Sequence, residues 1–198
     1  MATPTTGIIR DCLPFRPIAT RPRLKLPGGA RVAVWTIVNV ENWSPVDPMP
    51  RAVLPPPMGQ PLLPGVPNWA WHEYGMRVGF WRFLDVLRAR GLKASFAVNG
   101  TACTLYEEAC RAALEAGWEF ISHGYVQRPI HRVEDQRLAI RDTIEAIRRF
   151  TGKPPRVGKA PASPKPPTRW TTCRRPASNM CATSAWTTSP SCCGRRRP

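Results

Sequence analysis

Two of the chain's three histidines, His123 and His131, stand in the stretch "EFISHGYVQRPIH", where an apolar run stops. A second apolar run, "ARVAVWTIVNVE", stops at Glu41, and a third, "LKASFAVN", stops at Asn99. A carboxylate and an imidazole brought together have two chemical uses. They ligate a divalent metal, or they act as a base and its orienter on a water molecule. Either use requires that the ends of these runs meet.

The elements between them say how they would. Residues 30–41 form a near-continuous β-branched run, the pattern of a strand covered on both faces. Residues 42–68 hold too many prolines for a helix or a central strand, so a long surface loop is expected. Residues 72–91 follow as a helix with Val78, Trp81, Leu84 and Leu87 on one face, arginines in the last turn and Gly91 as its stop. The cycle repeats with a strand over 92–99, then a helix over 101–117 with Thr101 near its cap and Gly117 after its end. A third strand, "WEFIS", ends at His123, and a third helix spans 133–152 with acids in its first turn, arginines in its last and Gly152 closing it. Three consecutive strand-helix units predict right-handed crossovers and a parallel sheet or barrel. In such architectures reactive groups collect at the carboxyl ends of strands, which puts Glu41, Asn99 and His123 at one mouth.

Composition bounds the rest. A chain of 198 residues, 42% of them hydrophobic, suits one domain. No segment reaches the roughly 20 apolar residues of a membrane helix, and the first residues do not read as a signal peptide. Seven cysteines without regular spacing fit free thiols in a reducing compartment, so a cytoplasmic location is expected. The net charge of +16 divides unevenly. Residues 157–198 carry eight Lys and Arg and no Asp or Glu, which is half of the excess in about a fifth of the chain. That segment also lacks Leu, Ile, Phe and Tyr, too little apolar area to offset its ordering entropy. The expected organisation is an N-terminal arm over 1–29, an α/β domain over 30–156 and a basic low-complexity tail over 157–198.

The ordered set "VNVENW", "HEYGMRVGFWR", "FAVNG", "GWEFISHGY" and "TGKPPR" resembles the polysaccharide deacetylase superfamily, most closely its allantoinase-like branch. The likeness covers roughly residues 30–156. It implies an α/β fold, a partial (β/α) barrel of the distorted TIM-like type with about three βα units, followed by an irregular tail. It implies hydrolysis of non-peptide carbon-nitrogen bonds, N-acetyl groups on sugars or ureides. Glu41 stands where the family places an Asp-Asp pair, and His123 matches the first histidine of its His-Ser-x-x-His metal motif. Tyr125 and Val126 follow, and the next histidine is His131, eight residues on instead of four. The resemblance thus names Glu41 and His123 as catalytic residues, and Glu41, His123 and His131 as the ligands of a divalent ion such as zinc. Asn99, Tyr125 and His72 are expected to touch the substrate, a small-molecule or sugar amide. Neither a nucleic acid nor a membrane is the expected partner, and oligomerisation is open.

Three readings of the tail compete. As a nucleic-acid arm it has its cations and Trp170 and Trp186 for stacking, which would make the chain a non-catalytic basic protein. As a metal module it has Cys173, Cys181, Cys192 and Cys193, at spacings unlike common zinc sites. The third is translation out of frame: an excess of Arg, Pro, Ala, Ser, Thr, Cys and Trp is what GC-rich coding sequence yields one base out of phase. Back-translated and shifted by one base, "AWTTSP" can read "VDDQP", and "WTTCRRPASN" can read "VDDLPAAGIE". On that reading the strand ends that would complete the site are missing and this chain is catalytically incomplete.

Overall fold

In the computed structural model, residues 17–56, 59–159 and 180–181 are described. Five strands, β1 (Ile37–Val40), β2 (Ser95–Val98), β3 (Glu119–Ser122), β4 (Val157–Gly158) and β5 (Met180–Cys181), form one parallel sheet in sequence order. The helices between them are α1 (Val66–Tyr74), α2 (Phe80–Ala89), α3 (Ala102–Leu105), α4 (Glu107–Glu115) and α5 (Gln136–Thr151). This is the expected α/β architecture, an open part of a parallel barrel. Neighbours in sequence are neighbours in the sheet.

Alternation along the strands sorts the two faces. Val40, Phe96, Val98 and Phe120 pack against the helices with Phe80, Leu84 and Trp118, the aromatic centroids of Phe80, Phe96 and Trp118 lying 6.0–6.2 Å apart. Ala97, Ile121 and Val157, with Ile37, form a smaller cluster on the opposite face. The alternation carries Glu41, Asn99 and His123 onto that second face, two residues beyond Asn39, Ala97 and Ile121.

Several sequence expectations are corrected. The first strand is shorter than expected: only Ile37–Val40 pairs, and Val32 and Val34 before it are exposed. Val40 packs on the helix face and Ile37 on the opposite one, while among the described residues β1 has β2 as its single neighbour in the sheet. The proline-rich loop ends earlier than expected, because α1 begins at Val66 and places Pro67 in its first turn, where the missing N–H is not needed. Between α1 and α2 the chain makes a π-helical turn over Gly75–Gly79. The buried stripe runs through Glu73, Met76, Phe80, Leu84 and Leu87, with Trp81 partly buried against the same core and Val78 off it. The expected helix over 101–117 is broken at Tyr106, whose φ of −124° and ψ of 47° are not helical. Thr101 stands at the N-cap as expected, but its hydroxyl makes no capping bond and instead donates to Tyr125 O at 3.0 Å. The third helix has no acid in its first turn, because Asp135 is the cap itself and accepts from Leu138 N.

The three glycine stops stand, with Gly91, Gly117 and Gly152 all at positive φ. The segment read as an irregular tail opens with β4, where Val157 lies level with Ile121. Of the remaining tail only Met180–Cys181 is described, paired with β4. Trp170, Trp186, Cys173, Cys192 and Cys193 lie outside the described residues.

Candidate active site

Register places the candidate residues level. Val40 pairs with Val98 and Val98 with Ser122, so the next residue of each strand, Glu41, Asn99 and His123, emerges at the same carboxyl edge. Ladder bonds continue to that edge, Asn99 N–H donating to Val40 O at 3.2 Å and His123 N–H to Val98 O at 2.9 Å.

There Glu41 and His123 meet, with His123 Nε2 3.2 Å from Glu41 Oε1. The other ring nitrogen, Nδ1, lies 3.2 Å from the carbonyl oxygen of Lys159, the residue after β4. Both nitrogens therefore face oxygen acceptors. A neutral ring serves one of them at a time, and a doubly protonated ring serves both. Trp43 donates its indole N–H to Glu41 Oε2 at 2.8 Å. Burial works to push the Glu41 carboxyl up, but the hydrogen bonds to His123 and Trp43 outweigh it and hold the group below its ordinary range. The Glu41 side chain keeps 16% exposure against 4% for His123, so the carboxylate is the member of the pair that solvent reaches.

Asn99 is wholly buried, and its amide ties the edge together. Its Oδ1 accepts from Asn42 N at 2.8 Å, while its Nδ2 donates to His123 O at 2.7 Å and to Gln127 Oε1 at 3.2 Å. These bonds pin the residue after Glu41 to the loop after His123. His72 lies against the same edge, stacked on Trp43 with centroids 4.6 Å apart and planes 18° apart. Burial holds its imidazole below the ordinary range despite the nearby Glu73 and Glu41 carboxylates, and its Nδ1 is buried without a hydrogen-bond partner. Beneath it Glu73 accepts from Tyr106 Oη at 2.5 Å and from Arg77 Nε at 3.4 Å.

Tyr125 is 40% exposed and lines a cavity of about 480 Å³ between the loop after β3 and α5, which neither Glu41 nor His123 lines. This cavity is thus apart from the Glu41–His123 pair. His131 sits in the 3₁₀ turn Ile130–Arg132, and its side chain lies outside what is described. Among the described residues no three His, Cys, Asp or Glu side chains are grouped to hold a metal ion. Glu41 and His123, each already held by protein partners, do not by themselves fit the three protein ligands of a catalytic zinc.

Two residues at this edge were not singled out in the sequence. Trp43 stands in "VENW", where alternation beyond a strand end is the only signal. Lys159 brings an ammonium to the same edge, donating to Asn39 Oδ1 at 3.1 Å, while Asn39 Nδ2 reaches Glu41 Oε1 at 3.4 Å. Its place after β4 could have been read from the strand rule had β4 been expected.

Residues 72–174, from α1 to beyond β4, match the family model described as polysaccharide deacetylase. The chain belongs to the polysaccharide deacetylase family. That match begins later than the likeness read from the sequence and runs on past Arg156. Among solved structures, a probable polysaccharide deacetylase from Pseudomonas aeruginosa PAO1 superposes with a TM-score of 0.70 and 23% identity, covering 83% of this chain and 58% of that one. PuuE allantoinase superposes with a TM-score of 0.68 and 22% identity, covering 83% of this chain and 57% of that one. This polysaccharide deacetylase family chain therefore has their fold over less than two thirds of their length. No curated protein matches it in sequence. Among the described residues no helix is long and apolar enough to cross a membrane.

Proposed function

We propose that this chain is built as a hydrolase of non-peptide carbon-nitrogen bonds, acting on an amide or ureide carbonyl. The observation that carries the reading is the 3.2 Å contact between Glu41, held ionised and reachable by solvent, and His123, buried behind it. Water placed against the carboxylate gives up a proton to Glu41 as its oxygen bonds to the carbonyl carbon. His123 fixes the carboxylate through Nε2 and is itself fixed by Lys159 O. When the carbon-nitrogen bond breaks, the departing nitrogen takes its proton from a separate general acid, and the proton on Glu41 returns to solvent. The reaction runs through these side chains, and no step is assigned to a metal. The substrate is a small-molecule or sugar amide. A cytoplasmic location belongs to the same proposal and is supported by Cys103 and Cys110, buried as free thiols.

Glu41 and His123 supply a base and its orienter, while stabilising the developing oxyanion and protonating the leaving group call for further groups. Those were expected from strand ends after Arg156. Val157–Gly158 pair as β4, Lys159 O holds His123 and the family match runs to residue 174, so the proposal includes that this chain does not turn over and that one frame change downstream of Lys159 restores competence. The test compares both gene products on an acetylated sugar and on allantoin. Turnover by the frame-changed product alone, lost on Glu41→Gln, is the expected result. Turnover by the present chain that falls on Glu41→Gln refutes its incompleteness, and silence from both products refutes the hydrolase reading. The alternative of a basic nucleic-acid-binding protein rests on the tail, and salt-dependent retention on DNA that vanishes on removing residues 157–198 would favour it.

A further inference from the structure

A second cavity, of about 330 Å³, opens between the loop that follows β1 and the loop that follows β3. Its volume is within the range of small-ligand sites. Asn42, the residue after Glu41, contributes to one wall and Gln127 to the other, and both are held by the Asn99 amide. The cleft is thus tied to the same brace that sets the height of the catalytic edge. Pro48, Pro50 and Pro129 line it as well. Fixed backbone at these positions lowers the ordering cost of binding.

The charges around the cleft are unequal. Asp47, Arg128 and Arg132 line it, and Asp47 is engaged by Arg128 at 3.2 Å across the two loops. Arg132 has no acidic partner among the described residues. The acids that follow it in sequence do not serve it: Asp135 accepts from Leu138 N at the start of α5, and Glu134 lines the larger cavity behind the loop. The Gln127 oxygen is taken by Asn99, which leaves its amino group to donate elsewhere. An exposed guanidinium and a free amide donor in one cleft suit a carboxylate.

We infer that this cleft binds the carboxylate end of the substrate, so that the chain takes a carboxylate-bearing linear amide or ureide, such as an N-carbamoyl amino acid, in preference to a neutral N-acetyl sugar. The inference rests on the hydrolase reading for the direction in which the scissile bond lies. With the carboxylate on Arg132, the remainder of a short ureido acid extends past Asn42 towards Glu41. Arg132 is then the specificity-determining residue and Arg128 a wall residue held by Asp47.

Binding to the full chain tests this without requiring turnover. N-carbamoylglycine and its neutral counterpart N-carbamoylglycinamide are titrated in turn at equal ionic strength. One charge-assisted contact at a partly exposed site is expected to make the acid bind about tenfold tighter. Arg132→Gln should bring the two ligands to equal affinity with the circular dichroism spectrum unchanged. Arg111→Gln on α4, which removes one positive charge away from the cleft, should leave the preference intact. Equal affinities in the parent chain, a preference that survives Arg132→Gln, or one that Arg111→Gln also removes, each overturn the inference. None of these outcomes touches the hydrolase reading, which stands or falls on the turnover comparison with an acetylated sugar and allantoin.

Discussion

Trp43 sits between the two groups that give this edge its character, donating to the Glu41 carboxylate and stacking on His72. Trp43→Phe keeps a ring on His72 and removes the N–H. A hydrogen bond to a charged group contributes about 1.5–3 kcal/mol, and the partial exposure of Glu41 places the expected loss at the lower end, read as a drop in the urea midpoint. An unchanged midpoint would mean that the indole N–H bond contributes nothing to stability. Because the Glu41 carboxyl lies below its ordinary value of 4.5, its ionised form stabilises the fold at higher pH. That contribution is lost as the pH falls from 4.5 through the depressed folded value. Glu41→Gln should therefore be less stable than the parent near neutrality, with the difference closing on acidification. Parallel stability curves for the two proteins down to about pH 3 would contradict the linkage.

At the scale of the elements, the turn from β2 into α3 carries the loop that follows β3. Gly100 N–H donates to Gly124 O and Thr101 N–H to Tyr125 O, both at 3.0 Å. A Cβ at Gly100 would stand 2.7 Å from Tyr125 Cδ2 and 3.3 Å from Thr143 Cα. Gly100→Ala should push Tyr125 and its loop from β2 and cost about 1–3 kcal/mol, measured as a lowered melting midpoint. A midpoint equal to the parent's would show that the ring moves aside freely. Strand ends and helix stops were legible in the sequence because both are local: a β-branched run ends at a polar residue, and a glycine takes positive φ after a helix. The π turn at Gly75–Gly79 was not legible, since only packing of the stripe through Met76 and Phe80 against the sheet chooses it over a regular turn. The position of Thr101 at a helix start was legible, but not the use of its hydroxyl, which a carbonyl on another loop claims. The meeting of Glu41 and His123 followed from the strand rule, whereas the roles of Asn99 as a brace and Trp43 as a donor depend on contacts across 24 to 57 residues or on side-chain direction, which spacing does not encode.

For the molecule as a whole, among the described residues the sheet leaves β1 without an outer neighbour, and Val32, Val34 and Trp35 stand exposed beside it. Exposed apolar residues next to an unpaired edge invite strand-to-strand association. We expect the purified chain to melt broadly and to associate with rising concentration, and Val34→Lys to reduce that association by placing a charge on the edge. A sharp, concentration-independent, high-temperature melt of a monomer would contradict both expectations. The position of β1 also bears on the site. Among the described residues Glu41 is carried by a strand with a ladder on one side only, to β2, tied further by the Asn99 bond to Asn42 N–H and the Lys159 bond to Asn39, while His123 is carried by a strand flanked on both sides. The two halves of the pair therefore rest on segments of unequal opening free energy. Amide hydrogens of residues 37–42 should exchange with solvent well before those of 119–122. The lifetime of a closed β1, not the spacing of two side chains, then sets the fraction of time for which the carboxylate and the imidazole form one unit.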